Sequence, residues 1–170
     1  MSTNQQRGES IVEPRVNRYT DSQPQSATSN RTQYDTVIIY ADGSYKCREE
    51  IAGIGFLIKS NGGEVIQKET KPVTAETSLE TEAKAIKQAI QTALSFNPSH
   101  IVAHSDCKSL VEKVTDPNTD SELYDSIQSL IEPIEFVTIK HIDRDRNKHA
   151  DELAHLALRR EEDRVLNKQP

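Results

Sequence analysis

Apolar and polar positions become ordered along this chain only after residue 34. The run TVIIY at 36–40 is β-branched and aromatic, as in a buried strand, and it meets the turn-prone ADGS, which predicts the strand's end beside Asp42. AGIGFLIK at 52–59 predicts a second strand, SNGG a tight reversal, and EVIQKETKPV a third strand, together an antiparallel meander. From 77 to 96 the period becomes helical, with Leu79, Ala83, Ile86, Ile90, Ala93 and Leu94 on one face. Thr77 and Glu80 fit a capping box at its start, and Asn97-Pro98 ends it. A short strand, IVAHSD, then precedes a helical piece at 108–114, the breaker TDPNTD, a helix at 121–131 and a strand at 135–141. The last helix starts near Lys148 with Asn147 as its expected cap, and turns Ala150, Leu153, Ala154, Ala157 and Leu158 inward. A meander followed by alternating helices and strands predicts an α/β fold: a mixed sheet, antiparallel on one side and parallel on the other, with helices on its faces.

Composition sharpens this division. Of the 170 residues, 34% are hydrophobic and 28% charged, and the apolar deficit is concentrated in residues 1–34, rich in Ser, Thr, Asn, Gln, Arg and Pro. Such a segment buries too little to offset its ordering entropy, so it is expected to be a disordered arm. A single domain at 35–164 and a flexible tail at 165–170 complete the expected organisation. The arm has no apolar core of a signal peptide, its Glu9, Glu13 and Asp21 argue against a transit peptide, and no window approaches a membrane span. Cys47 and Cys107 are too few for a disulfide framework and lack zinc-ligand spacing, so a reducing, cytoplasmic setting is expected.

Four carboxylates stand out against this pattern. Asp42 follows the first strand and Asp106 the fourth, and the carboxyl ends of adjacent parallel strands share the sheet edge where α/β sheets place ligands. Glu82 is in line with Ile86, Ile90 and Ala93, so it points along the buried stripe of its helix, while Glu80, Lys84, Lys87 and Gln91 fall on solvated faces. Asp151 borders the apolar stripe of the last helix through Ala154 and Leu158. Each has a plain structural alternative: a turn for Asp42, an N-cap for Asp106, a boundary position for Glu82, a first-turn acid for Asp151. Together they surround one end of one sheet.

Clustered oxygen ligands without His or Cys suit Mg²⁺ or Mn²⁺. Four acids repel unless cations bridge them, and two ions roughly 3.5–4 Å apart are the usual device for in-line displacement at phosphorus. Phosphodiester hydrolysis is the reaction class this predicts. The net charge of −6 argues against a nucleic-acid partner only in part, because bound cations neutralise the acids. Lys46, Arg48, Lys108, Lys113, Arg144, Arg146 and Lys148 flank the acidic motifs and suit a passing phosphate backbone.

The motifs VIIYADGSY, ETEAKAIKQAI, VAHSDCKSLV and RNKHADELAHLA, in this order, resemble those of the ribonuclease H family over residues 35–160. The most specific is N-x-x-A-D-x-L-A in a terminal helix. The resemblance implies a five-stranded mixed sheet flanked by helices, catalytic and metal-binding roles for Asp42, Glu82, Asp106 and Asp151, and two Mg²⁺ or Mn²⁺ ions. It further implies endonucleolytic cleavage of the RNA strand of RNA–DNA hybrids to 3′-hydroxyl and 5′-phosphate ends, with double-stranded RNA a second candidate substrate. RNA would be recognised through successive 2′-hydroxyls, with the backbone at Gly43 and Ser44 and the Glu82 carboxylate as candidates. Ser78, where many members have Asn, is a candidate substrate contact, and Arg144 or Arg146 beside Asp151 could hold a phosphate.

The chain departs from bacterial members in lacking their extra basic helix and, having no Trp, their channel. The Gly-His loop before the final acid is replaced by KHIDRDRNKH, so its histidine's role transfers to neither His141 nor His149. The compact form is similar to the archaeal and reverse-transcriptase-associated branch. Two rivals remain: another nuclease of the superfamily, resolvase-like or transposase-like, and a non-catalytic nucleic-acid-binding module.

Overall fold

A computed structural model describes residues 34–116, 118–119 and 121–167. The expected arm at 1–34 therefore lies outside the described residues except for Tyr34. The order is β1 (Thr36–Lys46), β2 (Ile51–Ser60), β3 (Val65–Val73), α1 (Ser78–Leu94), β4 (His100–Ser105), α2 (Lys108–Thr115), α3 (Glu122–Ile131), β5 (Phe136–His141) and α4 (Lys148–Leu166), with a 3-10 turn at Arg144–Arg146 before α4. The strands form one sheet in the order β3-β2-β1-β4-β5. β1 pairs antiparallel with β2 and parallel with β4, β2 pairs antiparallel with β3, and β4 pairs parallel with β5. This is the mixed α/β sheet that the element order predicts. Among the described residues no helix is long and apolar enough to cross a membrane.

One expectation is corrected at β1. ADGS does not end the strand: Asp42, Gly43 and Ser44 pair with Gly55, Ile54 and Gly53, and the ladder continues to Lys46. The turn propensity of this tetrapeptide is overridden because β2 supplies partners for its backbone groups. On the other side, pairing with β4 stops at Tyr40↔His104. Asp42 thus sits where β1 runs past the end of its parallel neighbour, and the parallel edge of the sheet falls at this acid although the strand itself does not.

The core packs Val37, Ile39 and Ala41 of β1 and Ile54, Phe56 and Ile58 of β2 against Ala83, Ile86, Ile90 and Ala93 of α1, with Leu110, Val114, Tyr124 and Ile127 from α2 and α3. The helical stripe read from the sequence is the face that α1 buries, and Leu79 and Leu94 pack at its margin. Thr77 caps α1 as expected, its hydroxyl accepting from the Glu80 N–H. The return bond of the box is displaced by one residue, since Glu80 accepts from the Glu76 N–H at 2.8 Å.

α4 covers the other face, through the small residues Ala150, Ala154 and Ala157. Gly55 makes this contact possible: a Cβ there would lie 2.2 Å from the Ala154 backbone nitrogen. α4 also continues through Val165 and Leu166, two residues into the stretch expected as a tail.

Gly55→Ala is expected to lower stability by about 3 kcal/mol, at the upper end of ordinary overpacking, because backbone and not a flexible side chain must yield. A shift of the urea midpoint at unchanged slope is the measurement. A midpoint equal to that of the wild type would show that α4 does not rest on β2 in this way.

Candidate metal centre

The turn between β4 and α2, the overhanging part of β1 and the second turn of α1 meet at one end of the sheet. The structure brings Asp42, Glu82 and Asp106 together there, each offering a carboxylate oxygen within 4.8 Å of the others. Asp42 is 5% exposed and Glu82 9%, so this charge is concentrated where water solvates it poorly. Burial pushes the Asp42 carboxyl up to about 8, reinforced by Asp106 and Asp151 and opposed by Arg144. Burial pushes Glu82 up to about 9, with Asp42 and Asp106 adding to it and the Gly43 N–H and Arg144 opposing. Asp42 and Glu82 are thus driven towards their neutral forms unless a counter-charge is bound.

The plain alternatives fail for two of them. Asp42 is in the interior of a strand, not in a turn. Asp106 does not cap α2, whose N-cap is Cys107, and Cys107 makes no side-chain capping bond. Glu82 is fixed by the Gly43 backbone, whose N–H donates to Oε2 at 3.2 Å. That approach requires glycine, because a Cβ at 43 would lie 2.6 Å from the Glu82 nitrogen and 2.6 Å from the Thr81 carbonyl carbon.

Asp151 stands beside this group and is not part of it. Its Oδ1 accepts from Arg144 Nη2 at 2.8 Å, and its Oδ2 lies 3.4 Å from His155 Nδ1. Its charge still reaches Asp42, so α4 carries it to the same end of the sheet. Arg144, 74% exposed, supplies positive charge that reaches Asp42 and Glu82.

The remaining expected contacts divide. The Gly43 N–H is already committed to Glu82. Ser44 is half-buried in β1, and Ser78 is exposed at the start of α1. Of the two arginines, Arg144 reaches Asp151, while Arg146 lines a small pocket of about 80 Å³ with Tyr40, Lys59 and His149. Several of the flanking cations are in ion pairs: Lys46 with Glu162, Lys108 with Glu112 and Lys148 with Asp145. His104 stacks on Tyr40 and donates to the Ile39 carbonyl, a structural use.

Sequence reasoning missed Asn147. It is the N-cap residue of α4 by position, yet its side chain makes no capping bond. It is 1% exposed, and Nδ2 donates to the Ala41 carbonyl at 3.0 Å and to Asp106 Oδ1 at 3.3 Å. The Ala41 carbonyl is available because β4 has left the ladder one residue earlier. A polar residue in the most specific motif was the signal, but a local capping role already explained it.

No curated protein matches this sequence. A family profile described as "Reverse transcriptase-like" matches residues 40–157, the span from the end of the first hydrophobic run to the middle of α4. Among solved structures, the chain is similar to the amino-terminal RNase H domain of a Mycobacterium tuberculosis protein, with TM-score 0.71 and 20% identity over 76% of this chain and 98% of that one. It is similar to RNase H1 of the halophilic archaeon Halobacterium salinarum, with TM-score 0.66 and 24% identity over 72% and 97% of the two chains. It also resembles the compost-derived LC11-RNase H1 in complex with an RNA/DNA hybrid, with TM-score 0.65 and 20% identity over 73% and 97%. The chain belongs to the reverse transcriptase-like family and carries the ribonuclease H fold.

Proposed function

We propose that this chain is a ribonuclease H, an endonuclease that hydrolyses the RNA strand of RNA–DNA hybrids and leaves 3′-hydroxyl and 5′-phosphate ends. The observation that carries the reading is the convergence of Asp42, Glu82 and Asp106, from a strand, a helix and a strand end, within 4.8 Å. The hybrid held by LC11-RNase H1, a protein of the same fold, supports the substrate class.

The residues present fit divalent cations. An all-carboxylate donor set suits Mg²⁺ or Mn²⁺, and two of its members are driven towards protonation in the absence of positive charge. Asp42, Glu82 and Asp106 would hold the cations, with Asp151 completing the set from α4. When bound, the cations supply Lewis acidity towards water and the phosphodiester.

The chain's own groups do the positioning. The Gly43 N–H aims Glu82. Arg144, exposed and next to Asp151, offers a guanidinium to a phosphate oxygen of the backbone being cut, and a substrate phosphate would compete with Asp151 for it. Selectivity for RNA would rest on contacts to the 2′-hydroxyl, for which the backbone at Gly43 and Ser44 and the Glu82 carboxylate are the candidates. Residues 35–164 form the catalytic unit in this reading. The free thiols of Cys47 and Cys107 support a reducing, cytoplasmic setting.

Hybrid, double-stranded RNA and duplex DNA of one sequence distinguish the activities of this superfamily. Cleavage of the hybrid's RNA strand is expected, abolished by EDTA and restored by Mg²⁺ or Mn²⁺. Cleavage of DNA alone would reject the proposal. Asp42→Asn and Asp106→Asn are each expected to lower turnover by orders of magnitude while hybrid binding persists, because an amide lacks the charge that retains the cations.

Proton uptake supplies an independent measurement. The folded pKa values of about 8 for Asp42 and about 9 for Glu82 lie above the ordinary values of 3.8 and 4.5. The folded protein therefore retains protons that the unfolded chain releases, and this contribution to stability is lost as pH rises through those folded values. In EDTA, the melting temperature is expected to decline between about pH 6 and about pH 9, less steeply in Asp42→Asn. Saturating Mn²⁺ should remove the decline, and calorimetry should show protons released on binding. A melting temperature rising across this range in EDTA would contradict the buried cluster.

A further inference from the structure

Asn147 heads a helix of 19 residues without capping it. Its amide is buried, its Oδ1 has no hydrogen-bond partner, and both hydrogens of Nδ2 are spent on groups outside α4. Reversing the amide would set its oxygen against the Ala41 carbonyl and the Asp106 carboxylate, both acceptors, so the partners fix its orientation. Leaving a buried acceptor unmatched is unfavourable, and so is leaving a helix start uncapped. Two local preferences are therefore given up for one arrangement, in which a single side chain ties β1 next to Asp42 and the Asp106 carboxylate to the start of the helix that bears Asp151.

We infer that Asn147 is a positioning residue that sets the divalent-cation affinity of the acid cluster, an inference that rests on the metal reading above. Asp106 follows the last residue of β4 and precedes the cap of α2, outside either element, so no regular backbone ladder orients it. The 3.3 Å bond from Asn147 to Oδ1 holds the carboxylate in one rotamer before a cation arrives. The bond to Ala41, 106 residues away in sequence, holds the next residue, Asp42, in register with it. Ordering these ligands in advance removes an entropic cost from cation binding, whereas an untethered Asp106 would meet that cost at each binding event. Asn147 bonds to the Asp106 carboxylate and to the backbone beside Asp42, so its effect is exerted through those two acids.

The test is Mn²⁺ titration of the full-length protein by calorimetry without nucleic acid, beside the Mn²⁺ dependence of hybrid cleavage. Asn147→Ala is expected to raise the dissociation constant for Mn²⁺ by about 10–100-fold, the usual effect of removing a group that orients a metal ligand. The Michaelis constant for hybrid at saturating Mn²⁺ should stay unchanged. Ile127→Ala, a core substitution in α3 remote from the acids, is the control: it should lower the melting temperature and leave Mn²⁺ affinity alone. If Asn147→Ala does not fold, Asn147→Ser, one atom shorter than the native side chain, is measured by the same criteria. Wild-type affinity in the Asn147 variant, or equal weakening in Ile127→Ala, would overturn the inference while leaving the nuclease reading intact. A wild-type protein that takes up no Mn²⁺ would overturn both.

Discussion

Carboxyl groups held out of water are the constraint around which this molecule is organised. Asp42 and Glu82 are nearly inaccessible to solvent and share their surroundings with Asp106. Neither burial nor mutual repulsion favours such an arrangement, so it persists only because the sheet and two helices impose it. The features that make it possible are specific. β1 overhangs β4, Gly43 lets α1 approach the strand, and Gly55 lets α4 lie close on the opposite face. The apolar core shared by β1, β2 and α1 fixes the frame against which those acids are held.

Much of the fold was legible in sequence because its elements follow simple periods. The stripe from Ala83 to Ala93 is a helical face, and the alternation in β1 puts Val37, Ile39 and Ala41 inward. The acids were legible for the same reason: Glu82 interrupts an apolar stripe, and Asp42 and Asp106 follow apolar runs. What periodicity could not reveal was the continuation of β1 through ADGS. Turn propensity is a property of the tetrapeptide, whereas the ladder to Gly53 and Gly55 is a property of the tertiary structure. Likewise, the divergence of Arg144 and Arg146 depends on the 3-10 turn between them, which their spacing does not disclose.

Asn147 illustrates the limit most clearly. Its position before a helix offers a complete local explanation, and nothing nearby in sequence contradicts it. Its actual partners are in β1 and after β4. A side chain whose local role is adequate, but whose buried contacts are remote, cannot be separated from an ordinary cap without coordinates.

The same remoteness bears on how the protein is made. Asn147 and Gly55 both join α4 to strands near the start of the domain, and Asp151 arrives only with α4. During translation, the meander and α1 emerge first, with Asp42 and Glu82 already present but with one sheet face uncovered. The ties from Asn147 to the Ala41 carbonyl and the Asp106 carboxylate are therefore among the last contacts the growing chain can make.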